Sequence, residues 1–176
     1  MRELPQNFPR EVRKRPHSFT DVLQDHIDKD NADAYYEHVK NILKEQSVEI
    51  KNLKVLEIGS GNGIFLDFLR KKGVNAVGLD VRSGGYGSPQ VAARIEQIPL
   101  KSDEFDLVLS LGNVFDQMVY DQDHDLMIRE IYRVLKPKGL YLGYGLAKIK
   151  ASPIEGFTEL IKPGEDNIFR HLYQKS

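Results

Sequence analysis

The stretch VLEIGSGNGIF (residues 55–65) places an apolar run, one carboxylate and three alternating glycines directly ahead of a second apolar segment. The run LKVLEI that contains its first half is the near-continuous apolar type required of a strand covered on both faces. After the glycines, IFLDFLRKKG reads as a helix with Ile64, Phe65, Phe68 and Leu69 inward and Gly73 as its stop. VNAVGLD then reads as a second strand ending on Asp80. Strand, tight turn, helix and strand make a βαβ unit, whose crossover is right-handed in nearly all cases. The glycines therefore stand in the first βα turn of a parallel sheet, where such sheets bind ligands.

Outward from this unit the same alternation continues, which predicts an α/β fold. On the N-terminal side, Ser18 with Asp21 can cap one helix, and Asn31 can cap a second running to about Gln46 with Tyr35, Val39, Ile42, Leu43 and Gln46 on one face. On the C-terminal side, QVAARIEQI is a weaker strand candidate and FDLVLSL a strong one. Asp123 can cap a helix over HDLMIREIYRVLK, with Leu126, Met127, Ile131, Val134 and Leu135 as its apolar stripe and KPKG as its terminating turn. LYLGYGL gives a fifth strand, while GFTELI and NIFRHLYQ read as a terminal antiparallel hairpin. There is no internal repeat and no low-complexity segment. A chain of 176 residues suits one domain, here divided into an arm with helices that pack on the core (1–50) and a ligand-binding body (51–176).

Composition narrows the function classes. A hydrophobic fraction of 40% with 29% charged residues is that of a soluble globular protein, and no apolar run approaches the roughly 20 residues needed to span a bilayer. The N-terminus has basic residues but no apolar core behind them, so it does not read as a secretory signal, and a cytoplasmic location is expected. With no cysteine, disulfides, thiolate metal sites and cysteine nucleophiles are excluded, and the five histidines show no metal-ligand spacing, so no metal is expected. A net charge of -1 provides no general attraction to phosphate backbones; the local cluster Arg10, Arg13, Lys14 and Arg15 reads as a solvated arm.

The glycine turn itself selects among nucleotide-like ligands. Glycine allows positive φ and leaves no Cβ in the way, so a ligand can lie against the backbone. A dinucleotide fingerprint would be G-x-G-x-x-G with a pyrophosphate over the helix N-terminus; here the spacing is G-x-G-x-G behind Glu57. A carboxylate repels a pyrophosphate but suits a cation, and S-adenosylmethionine carries both an ammonium and a sulfonium. The lysine of a phosphate-binding loop is also absent. Asp80, at the end of the second strand, stands where a carboxylate accepts hydrogen bonds from ribose hydroxyls, which fits an adenosyl ligand or NAD equally.

VLEIGSGNGIFLDFL, GLDVR, IPLKSDEFDLVLS and MIREIYRVLKPKGLYLGYG together resemble the class I S-adenosylmethionine-dependent methyltransferases over about residues 53–146, in that family's order. Their most specific pieces are E-x-G-x-G-x-G and R-x-L-K-P-x-G ahead of a strand. The resemblance implies a doubly wound, mostly parallel seven-stranded sheet with an antiparallel last strand, and S-adenosylmethionine as cofactor. It places Glu57, Gly59, Gly61 and Gly63 at the methionine end and Asp80 on the ribose, and extends the cofactor set to Ser60, Val81, Ile95, Glu96, Ser110 and Leu111. Two departures stand out. Arg94 and Ile95, followed by Glu96, occupy the place of the family's acidic-Ala adenine contact, leaving backbone amides with Ile95 or Ile98 to hold adenine. The connections VRSGGYGSPQVAARIEQI and AKIKASPIE are too short for the family's full helices, so the fold is expected to be shortened.

Methyl transfer from a sulfonium is an in-line displacement in which positioning does most of the work, and a base is needed only when the nucleophile is protonated. Beyond the fourth strand, Asn113 can orient a polar atom, and Asp116, Tyr120 or His124 can supply a base, though each also suits a turn, a cap or solvent. Tyr35, Tyr36 and His38 either close over the cofactor or simply pack. The expected activity is methyl transfer to a small-molecule acceptor, with nucleic acid or protein acceptors left open and no membrane partner. The alternative is a catalytically inactive cofactor-binding or scaffold module. An NAD-dependent oxidoreductase is disfavoured by the glycine spacing.

Overall fold

The computed structural model describes residues 27, 29–81, 90–111, 124–144, 155–161 and 170–176. Among them are three α-helices, α1 (Ala32–Glu45), α2 (Ile64–Lys71) and α3 (His124–Val134). The strands are β1 (Lys54–Ile58), β2 (Asn75–Asp80), β3 (Gln90–Ala92), β4 (Phe105–Ser110), β5 (Leu135–Tyr144), β6 (Phe157–Ile161) and β7 (Arg170–Lys175). They form one seven-stranded sheet in the order β3-β2-β1-β4-β5-β7-β6. β1 pairs in parallel with β2 and β4, β3 extends beyond β2, and β5 lies beyond β4; β7 alone runs against its neighbours β5 and β6. The seven-stranded mixed sheet and the terminal hairpin therefore form as expected. The helix expected after Ser18 lies outside the described residues.

Alternation along each strand supplies two cores, one per face. Val55, Leu107, Leu109 and Leu142 turn toward α1 and α2, where they meet Val39, Leu43, Phe65, Leu66 and Leu69. Leu56, Ile58, Val108 and Tyr141 turn toward α3 and meet Met127, Ile131 and Val134. Burying a side chain of this size contributes about 1.5–3 kcal/mol, so the central strands β1 and β4 hold both layers together. α1 follows the expected face, with Tyr35, Val39, Ile42 and Leu43 buried. Asn31 takes the N-cap position, and its carbonyl accepts the Tyr35 N–H at 3.2 Å.

Three local expectations are corrected. QVAARIEQI is a strand only over Gln90–Ala92; Ile95 and Ile98 then turn into the α3-side core through a 3-10 turn (Ile95–Gln97), and the Ile98 N–H is taken by the Glu130 carboxylate at 2.7 Å instead of a neighbouring strand. Leu126 is 42% exposed, because the stripe actually buried on α3 is Met127, Ile131 and Val134. Leu135 begins β5 rather than ending the helix, pairing with Phe105 before the register shifts to Leu107 and Leu140. The KPKG segment fills that irregularity: Lys138 has φ 64, and a Cβ on Gly139 would lie 2.8 Å from the Lys136 carbonyl.

The amino-terminal edge of the sheet is closed by paired charges. Arg133 donates to the Ile98 carbonyl at 2.7 Å, to the Leu100 carbonyl at 2.8 Å and to both oxygens of Glu130. Asp106 accepts from Lys136 at 2.7 Å and from the Lys54 backbone N–H at 2.8 Å. Lys175 donates to the Leu135 carbonyl at 2.8 Å and to Asp103 at 2.7 Å, with its ammonium over the Tyr132 ring. The R-x-L-K-P-x-G motif is thus a structural clasp.

Candidate functional site

At the opposite edge, β1, β2 and β4 all end side by side, and the strand order reverses between β1 and β4. Such a reversal opens a crevice beyond the strand ends. The turn from β1 to α2 enters it on Gly59, Gly61 and Gly63, with φ of 71°, 54° and 78°. Each angle lies in the left-handed region that glycine adopts without a Cβ penalty. The turn is pinned to β2: Gly59 and Ser60 N–H groups both donate to the Leu79 carbonyl, at 2.8 and 3.1 Å. The Gly61 N–H donates to an Asp80 carboxylate oxygen at 2.8 Å. A Cβ at Gly61 would meet no described atom within 4 Å, so the backbone is open on its outer side.

Glu57 pairs in register with Gly78 and Leu109 in the middle of the sheet and is 4% exposed. Burial, reinforced by the Asp80 carboxylate and partly opposed by Arg70, pushes its carboxyl up to about 8. Its Oε2 has no hydrogen-bond partner among the described residues. A buried acceptor left in this state is destabilising by about 1–3 kcal/mol, and a carboxyl held up in this way regains its charge when a cation arrives.

The sequence over residues 56–143 matches the methyltransferase domain family, half of the chain. The chain belongs to that family. Two solved structures share its fold. A protein of Pyrococcus horikoshii superposes with a TM-score of 0.59 at 15% identity, covering 90% of this chain and 100% of that one. A SAM dependent methyltransferase from Aquifex aeolicus gives 0.55 at 15% identity, over 85% and 98%. An S-adenosylmethionine dependent methyltransferase from Mesorhizobium loti gives 0.47 at 22% identity over 60% of this chain, which spans only 52% of that protein. No curated protein matches the sequence.

Within this methyltransferase domain the expected cofactor residues fall in different surroundings. Glu57, Ser60 and Asp80 are buried beneath or beside the glycine turn, Val81 is 59% exposed just past β2, and Ser110 and Leu111 are buried at the end of β4. Ile95 and Ile98 are buried in the α3-side core. Glu96 forms an ion pair at 3.0 Å with the exposed Arg94, so the arginine in the usual acidic place faces a carboxylate from its own turn. Asn113, Asp116 and Tyr120 lie outside the described residues, and His124 opens α3. Tyr35 and Tyr36 stand against Phe65 and Phe68 at 6.3 and 5.9 Å and serve the core. Among the described residues no group of acidic and histidine side chains could hold a metal ion, and no helix is long and apolar enough to cross a membrane.

Sequence reading passed over Gly78. A Cβ there would lie 2.7 Å from Leu66 Cδ2 and 2.8 Å from Ser60 Oγ, so this glycine lets the turn and α2 settle onto β2. The available signal was a glycine inside an otherwise apolar strand, which marks a close approach.

The residues present fit S-adenosylmethionine. Gly61 offers open backbone, Asp80 is fixed beside it, and Glu57 brings a buried carboxyl with an unpartnered oxygen under the turn. The Asp80 carboxylate opposes a pyrophosphate, and Glu57 regains its charge beside a cation, so the pair suits a cationic nucleoside.

Proposed function

We propose that this chain is an S-adenosylmethionine-dependent methyltransferase acting on a small-molecule acceptor. The observation that carries the reading is the buried Glu57 carboxyl, lacking a partner for Oε2 beneath the open Gly61 backbone. Glu57 neutralises positive charge at the methionine end, Asp80 accepts from ribose hydroxyls, and the glycine turn lets both approach without a side chain intervening. When bound, the cofactor supplies a methyl group activated by its sulfonium. The chain's part is to orient the acceptor for in-line attack and to exclude water. The absence of a large basic surface in the sequence supports a small acceptor over a nucleic acid.

Calorimetric titration with S-adenosylmethionine and S-adenosylhomocysteine, with NAD as control, tests this. Micromolar binding of both adenosyl ligands without NAD binding is expected; preference for NAD would overturn it. A second reading, a cofactor-binding module without turnover, draws support from the short connections, since residues 81–89 alone join β2 to β3. Release of S-adenosylhomocysteine in an acceptor screen separates the two.

A further inference from the structure

We infer that Gly78 is a positioning residue for the cofactor: by carrying no side chain it sets how closely the glycine turn lies on β2, and so how Gly61 and Asp80 face each other; this rests on the methyltransferase reading above. Gly78 sits inside β2, paired in parallel with Glu57 on one side and Gln90 on the other. A regular interior position of this kind favours a β-branched side chain, and glycine there weakens the strand. Its φ lies outside the left-handed region, unlike those of Gly59, Gly61 and Gly63, so backbone geometry does not call for a glycine.

Space does. A Cβ at position 78 would lie 2.7 Å from Leu66 Cδ2, 2.8 Å from Ser60 Oγ and 3.1 Å from Ser60 Cβ. The first two atoms stand at the free ends of side chains and can turn away about a single bond. Ser60 Cβ cannot, because it is fixed to the backbone of the turn. A side chain at position 78 therefore lifts the turn by a few tenths of an ångström before Ser60 Cβ reaches the ordinary contact distance of 3.4 Å.

Such a lift reaches the ligand edge because turn and strand run over one another residue by residue. Gly78 and Asp80, two apart on a strand, face the same side of the sheet. Consecutive residues of the turn meet them: Ser60 packs over Gly78, and the Gly61 N–H donates to Asp80 at 2.8 Å. Between these contacts the Leu79 carbonyl accepts the Gly59 and Ser60 N–H groups at 2.8 and 3.1 Å. The Ser60 bond is near the long end of the N–H···O range, so moving Ser60 outward loosens it first and the Gly61 contact next. The open Gly61 backbone then stands further from both Asp80 and Glu57, the register partner of Gly78.

The packing of α2 alone does not account for the glycine. Leu66 enters the notch with one terminal methyl group, whereas Ser60 enters with two atoms, one of them next to the backbone. A glycine kept only for Leu66 is replaceable once that methyl turns away; one kept for Ser60 is replaceable only if the turn moves.

Gly78→Ala, Ser60→Gly and the double variant of the full chain form a double-mutant cycle that tests this, read by calorimetry with S-adenosylhomocysteine and by the Gly61 amide in 1H–15N spectra of the free protein. Gly78→Ala should weaken S-adenosylhomocysteine on the order of tenfold. In the free protein its Gly61 amide proton should move upfield and exchange faster, as the bond to Asp80 lengthens. In the Ser60→Gly background the same alanine should cost no affinity and leave the Gly61 amide in place. Undiminished affinity in Gly78→Ala would overturn the inference, and so would a loss that persists without the Ser60 side chain, which would trace the effect to Leu66. A lower melting temperature with an unmoved Gly61 amide would also overturn it, since the glycine would then serve packing alone. If the parent chain does not bind S-adenosylhomocysteine, the methyltransferase reading fails, and the Gly61 amide of the free variants still decides whether Gly78 positions the turn.

Discussion

The two edges of the sheet treat charge in opposite ways. At the amino-terminal edge Glu130, Asp106 and Glu104 each meet a cation within hydrogen-bond distance. Their carboxyls are held below the ordinary range, Glu130 by Arg133 and Glu104 by Lys54, and Asp106 by Lys136 and the Lys54 N–H despite its burial. At the carboxyl-terminal edge Glu57 is more deeply buried, lies near a second carboxylate and is pushed up to about 8. A fold built only for stability would pair Glu57 as it pairs Asp106. The difference separates the edge that holds the chain together from the one at which we propose a charged ligand binds.

Gly61→Leu strikes the ligand edge hardest. The new side chain would project into the open space above the turn, and φ of 54° disfavours it by about 1–2 kcal/mol. S-adenosylhomocysteine affinity should fall on the order of a thousandfold, about 4 kcal/mol, while the melting temperature drops only by roughly 3–6 °C. Retained affinity by calorimetry would remove the turn from the site. Arg133→Ala should do the reverse. It leaves two backbone carbonyls and Glu130 without their donor, which should cost about 3 kcal/mol of stability by urea unfolding. The folded protein should bind cofactor normally; a parallel loss of affinity would show that the two edges are coupled.

The ligand edge was the more legible in sequence, because its chemistry is local. Glu57, the three glycines and Asp80 lie within one βαβ unit, and backbone geometry alone dictates glycine at a left-handed turn. The clasp was visible only as a motif. Nothing near Arg133 in sequence says that its partners are the carbonyls of Ile98 and Leu100, because that contact forms only when α3 docks. Leu135 was misread for a related reason: its apolar character fits the end of a helix stripe, but pairing with Phe105 draws it into β5. His171 carried no sequence signal at all. Its place near Glu159 and in one row with Gly143 and Ser110 depends on the register of three strand pairs, which side-chain patterns do not specify.

Glu57→Gln sharpens the contrast through pH. A carboxyl raised from 4.5 to about 8 on folding makes the folded state bind the extra proton between those values. Stability contributed by Glu57 is therefore complete below about pH 4.5 and declines by up to about 1.4 kcal/mol per unit as pH rises toward 8. The clasp carboxylates have the opposite sign: their contribution is present above about pH 4 and is lost as pH falls through their lowered values. Without cofactor, the melting temperature should peak in mildly acidic buffer, and Glu57→Gln should flatten the decline toward pH 8. At pH 7 the variant should gain about 2 kcal/mol, roughly 4–8 °C, and lose the rise in S-adenosylmethionine affinity between pH 6 and 8.5. An unchanged thermal profile would mean that Glu57 is ionised and paired after all.

Lys175→Met gives the smallest effect and the finest test of the clasp. Lys175 is 8% exposed, so its stem packs with the core while its ammonium serves the Leu135 carbonyl and Asp103. Asp103 is 55% exposed on its side chain, and an ion pair so open to water is worth little. The hydrogen bond to Leu135 should carry most of the contribution, because it ties the end of β7 to the residue where α3 gives way to β5. Methionine keeps the apolar stem and removes only the donor, so the loss should be about 1 kcal/mol, while Asp103→Asn should change stability by only a few tenths. Equal losses would mean that the exposed ion pair, and not the carbonyl contact, fastens the last strand. The distinction bears on the ligand edge as well: β7 begins at Arg170 and His171 and ends at Lys175. A strand slipped at the clasp would carry His171 out of its row with Ser110.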